Sequence, residues 1–326
     1  MNKVLTISIA AYNVEQFLEK TLGSLVIKNQ DKIEVLIVND GSKDKTERIA
    51  AEYEKKYPDT FKLISKQNGG YGSTINAAVK HAAGTYFKQL DGDDWYETIN
   101  LDSFVQYLEK TKSDLIISSF YEFYENTDEK KLVDNHKSLT DKETNIENVS
   151  FQNDVLMHEL TIKTSLLREN NIQITENCFY TDNEYTFLPL MVAKNISRFD
   201  KPIYCYRLGV EGQSVSLEGI RKHYKDTNLV VNKLFSSYSN MNEVSGNKKE
   251  ILEKKILKIT DIMYSAYLLR EDVEKARSDL KTIDANIKTK HFVTYQATNK
   301  VKKVRVLRIS RFYLFNIIRY VVLRRF

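Results

Sequence analysis

Four short β-rich runs alternate with helical patterns along the first 125 residues: VLTISIA before a helix from Val14, KIEVLIV before one from Lys45, FKLIS before one from Tyr71, and TYFKQL running into DGDD. Alternation of this kind predicts parallel strands, because a parallel pair needs a crossover of a dozen or more residues and a helix is the usual crossover. That topology also fixes where polar chemistry can gather. Ligands of open α/β sheets sit outside the carboxyl ends of the strands, and the loops at those ends read AAYN, NDGSKDKT, KQNGGYG and DGDD. The last places Asp91, Asp93 and Asp94 within four positions. Carboxylates this close raise one another's pKa and oppose packing, so such a cluster either meets water or holds a cation.

Beyond the fourth strand, DLIISSFYEFYE supplies at least one more, and ENTDEKKLVDNHKSLTDKETNIEN is polar and weakly periodic, which reads as an excursion or loop and a first boundary. From about residue 217 the pattern turns helical, in LVVNKLFSSYS, KKEILEKKILKITDIMYSAYLL and EKARSDLKTIDANIK. With 326 residues, 42% of them hydrophobic, the chain can fill one large core or two smaller ones. Cys178 and Cys205 have no metal-ligand spacing and cannot build a disulfide framework, which favours a reducing, cytoplasmic compartment. The opening MNKVLTISIAAYN, broken by Thr6 and Ser8, reads as a strand rather than a secretory signal.

The net charge of +5 belongs to the tail. Residues 297–326 carry nine basic residues and no acid, and removing those nine from 49 leaves 40 against 44 acidic residues. A nucleic-acid partner therefore finds no support in the body. The tail KVRVLRISRFYLFNIIRYVVLRRF has no uncharged run near the roughly 20 residues a membrane span requires, so an interfacial helix on an anionic membrane fits better. On one helical wheel Arg305, Arg308, Arg319 and Asn316 share a side opposite Leu307, Leu314, Ile318 and Val321. The competing reading packs this segment on the protein's own body or on another subunit of a homo-oligomer.

SIAAYNVEQFLEKTLGSL, EVLIVNDGSKDKT, NGGYGSTINAAVKHAAGTYFKQLDGDD and TDNEYTFLPL, in that order and spacing, resemble family 2 glycosyltransferases of the bacterial surface-polysaccharide type. An Asp-x-Asp alone is a weak signal; four blocks across residues 3 to 216 are a specific one. The resemblance implies an α/β GT-A fold, Rossmann-like with a mostly parallel central sheet and flanking helices. It divides the chain into a nucleotide-sugar and catalytic domain at 1–216 (donor half 1–125, acceptor half 126–216), a helical region at 217–298 and the basic amphipathic tail at 299–326.

It also implies site residues. Small Ala10 and Ala11 let a planar base approach the backbone, Tyr12 borders it, and Asp40 accepts from an imide N–H such as that of uracil. Asn68, Gly72 and Asn76 belong to the donor loop, where many relatives carry Arg at the position of Ile75; Asn76 either touches the donor or braces the loop. Asp91 lies near the ribose, Asp93 holds Mn²⁺ or Mg²⁺ on the diphosphate with Asp91 beside it, and Gly92 permits the tight turn between them. Asp94 caps or supports, and Trp95 packs. Asp182, preceded by Thr181 where the family usually has Glu, is the general base, with Glu184 in reserve and a helix N-cap as the alternative role of Asp182. Gln213, Ser214 and Ser216 close over the diphosphate or are surface-loop residues, Arg207 contacts phosphate or pairs structurally, and His158 is structural.

The activity so implied is inverting, metal-dependent transfer from a UDP-sugar to a glycan or lipid-linked acceptor at the cytoplasmic membrane face. Two alternatives are a catalytically silent nucleotide-sugar-binding scaffold of a glycan-assembly complex, and a nucleotidyltransferase. The latter favours a Gly-rich, basic loop near the N-terminus, which AAYN is not.

Overall fold

The computed structural model describes residues 3–209, 217–241 and 246–324, so Gln213, Ser214 and Ser216 lie outside the described residues. The chain divides into two units, Met1–Asn177 with Val192–Val210, and Cys178–Met191 with Glu211–Phe326.

The first unit is built on one sheet. Its parallel half runs β3 (Phe61–Ser65), β2 (Ile33–Asn39), β1 (Leu5–Ala11), β4 (Tyr86–Asp91). LTISIAA and IEVLIVN are buried nearly throughout, as strands covered on both faces must be, which is why they read as continuous apolar runs rather than alternating ones. Helices α1 (Leu18–Gly23), α2 (Thr46–Lys56) and α3 (Tyr71–His81) make the crossovers. The last two begin where the sequence predicts, whereas α1 starts at Leu18 and keeps only six residues.

The sheet continues through β9 (Leu160–Lys163), antiparallel to β4 and β6 (Leu115–Tyr124), then β10 (Asn195–Leu208), parallel to β6, and β5 (Trp95–Tyr96) at the far edge. Helix α4 (Thr98–Leu108) buries Leu101, Phe104, Val105 and Leu108. After β9, α5 (Thr164–Glu169) carries Arg168, whose guanidinium donates to the carbonyls of Val79 (2.7 Å) and Ala82 (2.6 Å) and so closes the C-terminal end of α3. The polar stretch after β6 is not the loop the sequence suggests: β7 (Glu129–Val133) pairs with β6 as a hairpin and β8 (Thr144–Asn145) with β10. All of β7 but Val133 is exposed, so its backbone pairing leaves no apolar pattern to read.

In the second unit, α6 (Asp182–Val192) is followed by α7 (Leu217–Lys222), α8 (Tyr224–Ser239), α9 (Gly246–Leu268), α10 (Val273–Lys290), α11 (Phe292–Ala297), α12 (Lys302–Ile309) and α13 (Phe315–Leu323). Val230, Leu234, Ile256, Ile259, Met263 and Leu280 lie in its core. The single tail helix of the wheel does not form. Arg311 and Phe312 adopt positive φ (49° and 66°) and break it into α12 and α13. Val304, Leu307, Phe312, Phe315 and Val322 are buried, so the tail packs on its own unit. Arg308, on the basic side of the wheel, instead donates to buried Asp284 (2.8 Å), which also receives the hydroxyl groups of Tyr264 and Tyr295. Arg319 likewise turns to the carbonyl of Arg270 (3.0 Å). What remains outward is Ile309, Tyr313 (82% exposed), Leu314, Ile317 (60% exposed), Tyr320 and Val321, with Arg305, Arg311 and Arg324.

Candidate active site

At the carboxyl edge of the parallel strands the loops are tied to one another. The Asp40 side chain, following β2, is buried: Oδ1 accepts from the Lys66 ammonium (2.7 Å) and the Gly69 N–H (2.9 Å), and Oδ2 from the Gly70 N–H (2.8 Å). Asp40 thus fixes the loop that opens α3, and Oδ2 keeps a lone pair for a further donor. Asn68 adds a bond from its amide to the Asp40 carbonyl (3.0 Å). The first two loops interlock as well, since Asn13 N–H donates to Ser42 Oγ, Lys43 N–H to Asn13 Oδ1, Glu15 N–H to Asp44 Oδ2 and Thr46 N–H to Asp44 Oδ1. Asp44 thus ties the first loop to the first residue of α2. Tyr12 stands half exposed on the rim while Ala11 is wholly buried, so Ala11 can contribute backbone but no side-chain surface.

Gly72 and Asn76 serve the fold here. A Cβ on Gly72 would meet the Thr175 carbonyl at 2.1 Å, so the residue is glycine because residues 172–176 cross α3 closely. Asn76 braces the same crossing: its Oδ1 accepts from Ile174 N–H (2.9 Å) and its amide donates to the Ile174 carbonyl (2.8 Å). Ile75, where many relatives carry Arg, is buried in the core.

The DGDD turn closes β4. Gly92 is forced by β1, since a Cβ there would sit 2.8 Å from the Ala10 carbonyl. Asp91 Oδ1 accepts from the Tyr71 hydroxyl (2.7 Å). Asp94 is the buried clamp: Oδ2 accepts from Tyr204 (2.5 Å) and Oδ1 from the Arg207 N–H (2.7 Å), while the Asp91 N–H donates to the same Tyr204 oxygen (3.2 Å). Arg207 ion-pairs with Glu125, donates to the Asp93 carbonyl (2.8 Å) and lies over Phe17 and Trp95. Trp95 is a packing residue, with the Lys20 ammonium 3.4 Å from its ring centre. Asp93 is half buried, and among the described residues its carboxylate takes no hydrogen bond beyond its own backbone. Burial pushes the Asp93 carboxyl up. Burial, then the charges of Asp93 and Asp91, raise that of Asp94 well above the usual range.

Beside the turn, Lys88 of β4 is fully buried and donates to the carbonyls of His158 (2.9 Å) and Leu160 (3.3 Å). Burial brings its pKa down to about 7, against the pull of Glu159. Burial and then Lys88 bring His158 down to about 3, so its imidazole is neutral. Ligand atoms of Asp91, Asp94 and His158 all fall within 4.8 Å of one another. Carboxylates with an imidazole at this separation suit a divalent cation.

In the second unit, Asp182 is exposed at the first residue of α6, with the Asn183 amide donating to its Oδ1 (3.1 Å). Glu184 is wholly buried and ion-paired to Lys233 of α8 (2.8 Å), a structural position that keeps it from an incoming hydroxyl. Sequence reasoning passed over Tyr71, Lys66 and Tyr204. Tyr71 sits inside NGGYG and Lys66 directly after a strand, but nothing in their spacing says that they hold Asp91 and Asp40.

The model of glycosyl transferase family 2 matches residues 6–169, just over half of the chain. The chain belongs to this family. Two curated relatives from Bacillus subtilis are the uncharacterized glycosyltransferase EpsJ and the minor teichoic acid biosynthesis protein GgaB. EpsJ is 26% identical over 221 residues, covering 64% of this chain and 62% of EpsJ, and GgaB 30% identical over 212 residues, covering 62% of this chain and 23% of GgaB. The chain thus spans less than two thirds of either relative. Among solved structures, S. aureus TarS in complex with UDP-GlcNAc shares the fold with a TM-score of 0.64 at 18% identity, over 95% of this chain and 93% of that one. The mannosyltransferase PcManGT from Pyrobaculum calidifontis, in complex with GDP-Man and Mn²⁺, does so at 0.55 and 16%, over 98% and 87%. The chain has the GT-A fold, with a helical C-terminal region.

Proposed function

We propose that this glycosyltransferase is an inverting, metal-dependent enzyme that moves a sugar from a UDP-sugar to a glycan or lipid-linked acceptor in cell-surface polysaccharide synthesis. The observation that carries the reading is the DGDD turn at the carboxyl end of β4. Its Asp93 carboxylate is half buried, pushed up by that burial, and takes no hydrogen bond from other described residues. A carboxylate kept in that state favours a cation. Asp93 and Asp91 would hold Mn²⁺ or Mg²⁺, which supplies neutralisation of the diphosphate charge as the nucleotide leaves. The remaining lone pair on Asp40 Oδ2 suits an imide N–H, and exposed Tyr12 suits the face of a base. Asp182, solvent-accessible on α6 where Glu184 is not, is the base that takes the acceptor's proton; one displacement then inverts the anomeric centre. The UDP-GlcNAc bound by TarS and the teichoic acid role named for GgaB support the donor and pathway class.

The acceptor places the work at the inner face of the cell membrane. No helix among the described residues is long and apolar enough to cross one. The outward row Ile309, Tyr313, Ile317, Tyr320 and Val321, flanked by Arg305, Arg311 and Arg324 in a segment without acids, has the composition of a surface that rests on anionic lipid.

The test is a panel of nucleotide sugars with Mn²⁺, scored by thermal stabilisation and by the product released. The matching donor at 100 times its Kd adds about 2.7 kcal/mol, and turnover frees UDP. Pyrophosphate in place of UDP would make it a nucleotidyltransferase, and binding without turnover would make it a scaffold.

A further inference from the structure

His158 stands at the DGDD turn without a task in the roles above. It lies in the short turn Met157–Glu159 that precedes β9, and Lys88 pins its backbone by donating to its carbonyl at 2.9 Å. Its ring is clamped from several sides: stacked on Tyr206 (centroids 4.2 Å apart, planes at 26°), edge-on to Tyr204 (4.7 Å, 62°), and against Phe120 (5.2 Å). Such packing fixes the imidazole in one rotamer. Even so, its Nδ1 is buried with no hydrogen-bond partner among the described residues. Native folds seldom leave a polar atom buried and unsatisfied, and tolerate it where a ligand completes the site.

A ligand atom of His158 lies within 4.8 Å of one from Asp91 and one from Asp94. Asp91 is steadied by Tyr71, and each Asp94 oxygen accepts a single bond, from Tyr204 or from Arg207. Donors that are each held by a second residue form a pre-organised set. We propose that His158 supplies a nitrogen ligand to the divalent cation at the DGDD turn, with Asp91 as the ligand it shares with Asp93. The inference rests on the reading of that turn as the cation site. An imidazole in the set shifts preference away from Mg²⁺, whose ligands are oxygens, toward a transition ion such as Mn²⁺.

The test uses the full chain with Mn²⁺ and UDP and reads the ion directly, by pulsed electron paramagnetic resonance. Wild type should show ¹⁴N modulation from a coordinated imidazole, and ¹⁵N-histidine labelling should change it. His158→Gln should lose it, with Mn²⁺ affinity weakened about tenfold or more and discrimination against Mg²⁺ reduced. Mn²⁺ displaced by Asp91→Asn yet showing no nitrogen coupling in wild type would overturn the role of His158 and leave the turn as the cation site. Nitrogen coupling that survives His158→Gln would overturn it too, by assigning another histidine. Mn²⁺ binding untouched by both Asp91→Asn and Asp93→Asn would remove the cation site itself. The wild-type spectrum decides even if the variant does not fold.

Discussion

Lys88 offers a quantitative handle on the floor of the site. Its ammonium is wholly buried, with two carbonyl acceptors and a pKa brought by burial from 10.5 down to about 7. The unfolded chain holds that proton up to about pH 10.5. Between pH 7 and 10.5 the unfolded state therefore binds more protons than the folded one, and stability contributed at this position must rise with pH. The folded group is half protonated at pH 7, so the slope grows from there toward its full value of roughly 1 kcal/mol per pH unit, and from pH 7 to pH 9 the gain is about 2 kcal/mol. Lys88→Met removes the titrating group and leaves two carbonyls unpartnered, a loss of roughly 1–3 kcal/mol each that does not vary with pH. The assay is urea unfolding of both proteins at pH 7, 8 and 9, followed on Trp95, the sole tryptophan, which lies in the same unit. Wild type should gain on the variant by about 1 kcal/mol at each step. Parallel stabilities across that range would refute the argument, because Lys88 would then keep its proton in the folded protein.

Asp182→Asn should keep donor affinity while turnover falls by about 10² to 10⁴; an equal loss of donor binding, measured calorimetrically, would assign Asp182 a structural role. For the tail, deletion is a poor test, since each of Leu307 and Phe315 buries a side chain whose removal costs about 2–5 kcal/mol. Tyr313→Asp with Ile317→Asp instead alters only outward positions, and should abolish co-sedimentation with anionic vesicles at an unchanged melting temperature; retained binding would rule this face out.

The parallel half was legible because β1 and β2 are buried on both faces and advertise themselves as apolar runs, and because Gly92 and Asp91 lie where a strand must stop. β7 was not, since exposed EKKLV pairs through its backbone alone. The tail misled for a related reason. A helical wheel assumes one continuous helix, and positive φ at Arg311 and Phe312 resets the phase, turning Arg308 and Arg319 inward. At the site, residue types were readable but their partners were not. Asn76 reads equally as a donor contact or a loop brace, and its bonds to Ile174 are out of reach of local pattern, as is the ion pair of Glu184 with Lys233.

The central claim, a diphosphate held through a cation on the DGDD turn, is tested most directly by calorimetric titration of UDP into wild type and Asp93→Ala, each with Mn²⁺ and with a chelator. The account predicts Mn²⁺-dependent binding in wild type and, in a variant with an unchanged melting temperature, no difference between Mn²⁺ and chelator. UDP binding that is equally tight in all four titrations would contradict it.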